Sequence, residues 1–260
     1  MNRVGFIGGG ALAESIVRGI CGKVFAPNDI FISEIRAARC EELSKRYGVC
    51  AGVEANFLDK IDMLIVAVKP KDAEETFAKL QNKIPAQVLI TYTVAGLKLA
   101  KVEKFFPSNK IVRLMPNVAV SVGESMTAYV LNKNAAQDGE AIKNFWSTLG
   151  RTVEVEEKLM DAVTGLSGSG PAYAFLMIDA LSDGGVAAGL SRAQAIELAA
   201  QTFLGAAKMV LQGEHPDVLR DKVTSPAGTT IEGVRVLERG GVRSSLIEAV
   251  LAATEKSKAL

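Results

Sequence analysis

One histidine (His215), one tryptophan and three cysteines in 260 residues leave little material for metal or disulfide chemistry. Transition-metal centres draw on closely spaced His and Cys, and Cys21, Cys40 and Cys50 show no such spacing, so no metal is expected. An odd, sparse cysteine count instead fits a reduced, cytoplasmic chain. Excess charge of either sign is missing too: 30 basic against 29 acidic residues leave +1. Nucleic-acid and membrane-surface binders usually carry a basic excess, so neither partner is expected. Long apolar runs are also lacking. The longest uncharged stretch, Ala162–Ile178, contains Thr164, Ser167, Ser169 and several Gly and Pro residues and cannot insert as a lipid-facing helix. Arg3, an apolar stretch and Ala11-Leu12-Ala13 imitate a signal peptide. Gly5, Gly8, Gly9 and Gly10 would break its helical core, and cytoplasmic residence is the expectation.

What is present is a globular composition, 48% hydrophobic with 24 glycines, at a length suited to one or two domains. The two halves differ in period. Strand candidates are Arg3–Ile7, Asp29–Ile32, Met63–Val68, Gln87–Thr91, Lys110–Leu114, Met126–Leu131 and Thr152–Val155. Helical patterns lie between them at Ala11–Ile20, Ala37–Tyr47, Asp72–Gln81 and Gln137–Leu149. This alternation predicts an α/β, doubly wound, mostly parallel sheet over 1–157. Met63–Val68 shows no alternation, as expected of a strand buried on both faces.

Residues 158–260 read as all-α, with helices over Pro171–Ser182, Ser191–Leu211, Thr230–Arg239 and Ser244–Lys256. Ser191 with Gln194, and Thr229 with Glu232, have capping-box spacing. The helix after Ser191 is apolar nearly all round, more than a hundred-residue domain can bury by itself. Either it is the centre of a compact bundle, or the domain interlocks with a second copy in a homo-oligomer. The oligomer is the reading adopted.

Gly8, Gly10 and Ala13 supply G-x-G-x-x-A directly after the first strand, with Gly9, Ala11 and Leu12 between them. Such a turn lets a pyrophosphate approach the backbone at a helix N-terminus, although glycine-rich turns also arise for packing alone. Glu34, 24 residues after Gly10, stands where an acid takes a ribose 2′-hydroxyl and favours NAD. Arg36 and Arg39 stand where a guanidinium would hold the 2′-phosphate of NADP. Val68-Lys69-Pro70, Val94-Ala95-Gly96 and Met115-Pro116-Asn117 fall at predicted C-terminal strand ends, the edge where open α/β sheets place ligands.

A second constellation lies in the helical half. Thr164–Tyr173 reads as a glycine–serine loop closed by Pro171, with more glycine than a capping turn requires. Thr224–Thr230 is a hydroxyl-rich turn opening a helix, suited to a carboxylate. No catalytic dyad is evident, and His215 before Pro216 reads as structural or solvent-facing. A nicotinamide needs chiefly to be oriented against its substrate, and a protonated imine would need no strong acid.

On the residues Phe6–Ala13, Ala67–Pro70, Val112–Asn117, Asp161–Tyr173, Asp179–Leu181 and Thr224–Thr230, spread over nearly the whole chain, the sequence resembles the pyrroline-5-carboxylate reductases. The resemblance implies a Rossmann-type domain followed by an all-α dimerisation domain, with dimers often assembled into a decamer. It implies reduction of 1-pyrroline-5-carboxylate to L-proline, the last step of proline biosynthesis, with NADPH as cofactor and NADH as the alternative. By position, Gly8 to Ala13 would hold the pyrophosphate. Ser33 and Arg36 would lie near the adenosine ribose, Asn56 near the adenine, and Val68, Lys69 and Pro70 at the nicotinamide end, with Ala67 and Asn117 along the cofactor crevice, while Glu34 stands against a simple NADPH preference. Ser225, Gly228, Thr229 and Thr230 would take the substrate carboxylate, Thr230 and Ser225 being the catalytic pair, with Glu214 at the ring side. Ala227 departs from the family, which usually has glycine there, and would carry strain if the position needs a positive φ.

The rivals are a reductase of a related cyclic imine carboxylate, such as a piperideine carboxylate, and an NAD(P)H-binding regulator without turnover. Hydroxy-acid dehydrogenases usually offer a lysine on the helix after the glycine–serine loop. Ala172–Ser182 has none.

Overall fold

The uninterrupted apolar run Met63–Val66 forms a strand buried at every position, with a parallel neighbour on each side, in the computed structural model, which describes residues Met1–Leu260. The strands are β1 (Val4–Ile7), β2 (Ile30–Ser33), β3 (Cys50–Gly52), β4 (Met63–Val66), β5 (Leu89–Tyr92), β6 (Ile111–Met115), β7 (Ser125–Leu131) and β8 (Gly150–Glu154). They form one sheet in the order β3-β2-β1-β4-β5-β6-β7-β8. All pairings are parallel except β6 with β7. The chain winds outward from β1 to β3 and then returns to β4 on the other side of β1. The switch point therefore lies between β1 and β4, where an open α/β sheet forms its ligand crevice.

Helices cover both faces. α1 (Ala11–Ile20) turns Ala13, Ile16, Val17 and Ile20 inward at helical spacing, and α2 (Ala37–Tyr47) adds Leu43. The other face carries α3 (Pro70–Leu80) with Ala73, Phe77 and Leu80, and α4 (Leu99–Glu103) with Leu99 and Val102. α5 (Gly139–Ser147) closes the first face with Phe145 and Trp146, whose rings meet edge-on at 5.2 Å. Side chains such as Phe6, Phe77 and Trp146 are fully buried, each stabilising the fold by roughly 2–3 kcal/mol.

After β8 the chain is helical: α6 (Met160–Val163), α7 (Gly170–Ala187), α8 (Arg192–Val210), α9 (Pro216–Lys222), α10 (Thr229–Arg239) and α11 (Val242–Lys258). By packing, Met1–Ser169 with Ala252–Leu260 form one compact unit and Gly170–Leu251 a second. No helix is long and apolar enough to cross a membrane.

The structure corrects several local expectations. The glycine–serine stretch is not a loop: Thr164–Gly168 is a π-helical turn, closed by a Ser169 N–H donating to Thr164 O at 2.9 Å. Its hydroxyls bond back to the preceding turn, Thr164 Oγ1 to Met160 O at 2.8 Å and Ser167 Oγ to Val163 O at 3.2 Å, instead of capping a new helix. The Ser191–Gln194 capping box forms. The one at Thr229–Glu232 does not, because α10 begins one residue early with Gly228 as its N-cap, and Glu232 pairs with Arg235 at 2.7 Å. β3, α4 and α6 were not expected. They are three, five and four residues long, too short for a periodic signal to show. The helix start expected at Pro216 forms as α9.

In the second unit α8 buries only Ala195 and Ala199, and Ile196, Leu198 and Leu204 remain exposed. On α7, Phe175 and Leu176 are 64% and 71% exposed. A single copy of the chain thus leaves uncovered the apolar surface that its composition calls for burying.

Candidate active site

The turn after β1 is shaped by three glycines with different duties. Gly8 has φ +97°, and a Cβ there would lie 2.6 Å from the Ala67 carbonyl oxygen. Its N–H donates to Ser33 O at 2.8 Å, so the turn is tied to β2 and pressed against the end of β4. Gly9 packs on Leu43 and Glu34, where a Cβ would lie 2.9 Å from Leu43 Cδ1. Gly10 faces open space, with nothing within 4 Å of a Cβ. It is also the N-cap of α1 and brings no side-chain bond to the helix N-terminus, so Ala11, Leu12 and the buried Ala13 begin a helix with free N–H groups. An open approach to uncapped donors suits a pyrophosphate.

Charged side chains brace this turn. The Gly9 N–H donates to Glu34 Oε2 at 2.9 Å, and the Gly9 carbonyl accepts from Arg39 Nε at 2.9 Å. Arg39 also pairs with Glu14 and with Glu42, so it is not free to hold a 2′-phosphate, one of the roles its position allowed. The bond from Arg39 holds the Glu14 carboxyl below the ordinary carboxylate range, and outweighs the opposing effect of burial. Burial pushes Glu34 upward, but the hydrogen bonds from Arg36 and Gly9 prevail and it too is held low. Ser33 Oγ donates to Val53 O at 2.9 Å, and Asn56 is exposed on the turn after β3.

Ala67 and Val68 are half-buried beyond β4, Lys69 is exposed, and Pro70 opens α3. Asn117, expected along the crevice, is bonded at both ends of its side chain: Nδ2 donates to Ser167 O at 3.0 Å and Oδ1 accepts from the Ala119 N–H at 3.1 Å. It ties the end of β6 to the π-helical turn.

In the second unit Ser225, Gly228, Thr229 and Thr230 lie together on the turn opening α10. No side chain caps this helix, so its first N–H groups are free beside the exposed Ser225, Thr229 and Thr230. A Cβ on Gly228 would stand 2.3 Å from Ser225 Oγ, so the serine hydroxyl keeps its place only because residue 228 is glycine. Glu214 precedes α9 and pairs with Lys222. His215 is the N-cap of α9, its Nδ1 accepting from the Asp217 N–H at 3.3 Å.

Ala227 has φ +56°, the conformation that the departure from glycine put in question. An L-residue there is strained by roughly 1–2 kcal/mol, partly offset by the greater unfolded-state freedom of glycine. Ala227→Gly is therefore expected to stabilise the protein by about 0.5–1 kcal/mol, read as a rise of about 1–4 °C in melting temperature. An unchanged or lower melting temperature would show the turn to be relaxed with alanine.

Comparison with known proteins fits this geometry. The pyrroline-5-carboxylate reductase dimerisation family matches residues 157–260, and a family described as NADP oxidoreductase, coenzyme F420-dependent, matches residues 3–95. The pyrroline-5-carboxylate reductase of Synechocystis sp. is 46% identical, covering 99% of this chain and 98% of its own. This chain belongs to the pyrroline-5-carboxylate reductase family. The Arabidopsis thaliana reductase is 41% identical, covering 99% of this chain and 95% of its own. Among solved structures, the Plasmodium falciparum pyrroline carboxylate reductase with NADP bound superimposes with a TM-score of 0.89 at 31% identity, covering 99% of this chain and 97% of its own. For this reductase family member, a sheet with its switch point beside Gly8 and a helical half matched to a dimerisation family are thus shared over the full length.

Proposed function

We propose that this chain reduces 1-pyrroline-5-carboxylate to L-proline with NAD(P)H, the last step of proline biosynthesis. The observation that carries the reading is the uncapped, hydroxyl-rich start of α10, in a chain that also has an uncapped glycine turn at its switch point. The backbone N–H groups of Gly10 to Ala13 hold the pyrophosphate on a turn that Gly8 and Gly9 shape, and Ser33, Glu34, Arg36 and Asn56 surround the adenosine end. Ala67, Val68, Lys69 and Pro70 line the nicotinamide end. When bound, the reduced nicotinamide supplies the hydride that the imine carbon accepts.

The chain's own task is orientation. The free N–H groups at the start of α10, with Ser225, Gly228, Thr229 and Thr230, grip the substrate carboxylate, and the positive helix end favours that charge. The Thr230 hydroxyl steadies the imine nitrogen, which arrives protonated, so no strong side-chain acid is required. Glu214 takes the ring side. The domains divide the work, residues 1–157 binding the cofactor and 158–260 binding substrate and dimerising.

The chain is a homo-oligomer. We place the dimer contact on the helical half, whose Phe175, Leu176 and Leu198 need covering, and take such dimers to assemble into a decamer. A cytoplasmic location accords with three unpaired cysteines.

Thr230→Ala is expected to lower kcat/KM for pyrroline-5-carboxylate by about tenfold to a hundredfold, through both KM and turnover. NADPH affinity should stay within about twofold, because the residue belongs to the substrate grip. Unchanged steady-state constants would remove Thr230 from the site.

A further inference from the structure

The acid at the end of β2 does not behave as its position in the sequence implies. A carboxylate that reads a ribose 2′-hydroxyl must present an oxygen to the crevice. The Glu34 side chain is only 7% exposed, and both its oxygens are taken. Oε2 accepts from the Gly9 N–H at 2.9 Å. Oε1 accepts from the Arg36 backbone N–H at 3.2 Å and from Arg36 Nε at 2.8 Å. The backbone of Glu34 is fixed as well, its N–H donating to Gly52 O at 3.0 Å and its carbonyl accepting from Cys40 Sγ at 3.2 Å. What stands outward at this place is the Arg36 guanidinium, 64% exposed and held at Nε. Its two terminal nitrogens are left to point elsewhere, and that pair forms the fork suited to a phosphate. The other cation of the segment, Arg39, is 14% exposed and committed to Glu14, Glu42 and the Gly9 carbonyl.

Resting on the cofactor reading above, we propose that Glu34 is a positioning residue for Arg36, and that the pair makes this chain select NADPH over NADH by gripping the 2′-phosphate. A charge that would repel a phosphate from an open crevice is neutralised by the arginine it holds and tucked beneath the glycine turn. The position that elsewhere favours the unphosphorylated cofactor thus supports the cation that favours the phosphorylated one.

The test is calorimetric titration of the full-length protein with NADP⁺, NAD⁺, 2′,5′-ADP and 5′-AMP, without imine substrate. The wild type is expected to bind NADP⁺ at least about tenfold more tightly than NAD⁺, and 2′,5′-ADP more tightly than 5′-AMP. Arg36→Ala removes the counter-ion of the buried Glu34, which keeps its bonds from the Gly9 and residue-36 backbone N–H groups, and thermal melting read alongside checks that the variant is folded. Arg36→Ala is expected to weaken NADP⁺ and 2′,5′-ADP by about tenfold or more while changing NAD⁺ less than about threefold. Glu34→Gln keeps the size and the guanidinium but loses the charged tether. It is expected to weaken NADP⁺ about fivefold and leave NAD⁺ within about twofold, a change of ratio that general loosening of the turn would not produce.

Equal losses of both cofactors in Arg36→Ala would overturn the proposal. So would a Glu34→Gln protein that loses NAD⁺ selectively, since Glu34 would then be the ribose acceptor. A wild type binding neither nucleotide would remove the cofactor reading and this inference together. Normal turnover of pyrroline-5-carboxylate with an unselective or NAD⁺-preferring wild type would leave the reductase standing and remove this inference alone.

Discussion

Replacing Gly8 with alanine is expected to weaken cofactor binding by about two orders of magnitude and to destabilise the fold by about 2–3 kcal/mol. Two costs combine. The residue sits at φ +97°, which an L-residue rarely adopts, and the new methyl would lie 2.6 Å from the Ala67 backbone oxygen. That oxygen cannot retreat easily, because Ala67 is anchored by its N–H to Ile7 O at 2.9 Å. The turn must therefore move, and with it the donors at the start of α1. Gly10→Ala provides the contrast: its methyl enters open space at an ordinary φ of −71°. Its stability should stay within about 0.5 kcal/mol of the wild type while cofactor affinity still falls, because the methyl occupies the phosphate approach. Thermal melting together with titration of NADP⁺ separates the two. Equal stability in Gly8→Ala would mean that the backbone there is free to relax.

Glu157→Ala is expected to destabilise the protein by about 3–5 kcal/mol, the range for stranding a buried charge. The Arg113 side chain, on β6, is 3% exposed, and its NH1 meets Glu157 Oε1 at 3.0 Å. Its Nε is buried without a partner, so the guanidinium has little else to rely on. The same Glu157 oxygen accepts the Leu99 N–H at the start of α4, and that bond would be lost too. Glu157→Gln should cost less, because it keeps an acceptor. Combining Arg113→Met with Glu157→Ala should recover part of the loss, because the stranded charge is then gone. A double-mutant cycle by denaturant unfolding measures this. A loss under about 1 kcal/mol for Glu157→Ala would show that water reaches the arginine.

These two sites illustrate what a sequence discloses and what it withholds. The Gly8–Ala13 turn was legible because its meaning is local: strand, tight turn and helix follow one another within a dozen residues. A positive φ at Ala227 came into question only through the family, which usually has glycine there, and the structure has it. The strands from β1 to β8 were readable where apolar runs marked them, and β3 was not, since Cys50, Ala51 and Gly52 carry no such mark. Long-range partnerships were out of reach. Arg113 and Glu157 are 44 residues apart and meet only because α4, β6 and the segment before α6 converge. Asn117 stood at the right strand end, but its partner Ser167 is 50 residues away. Glu34 shows the sharpest limit. Its position fits ribose recognition, whereas the direction of its carboxylate depends on Gly9 and Arg36 and is a tertiary property. Arg39 read as a 2′-phosphate ligand, although its spacing to Glu42, and that of Glu42 to Arg46, could have marked it as part of a helix-surface network.

The peptide of Gly9, clasped at its N–H by one carboxylate and at its carbonyl by one guanidinium, means that the turn proposed to hold the phosphates is braced before any nucleotide arrives. The entropy of ordering that turn is then lost during folding and not at association. Affinity for the nucleotide is correspondingly freed from an induced-fit step at its diphosphate, and discrimination is left to the ends of the molecule, the adenosine at one and the nicotinamide at the other.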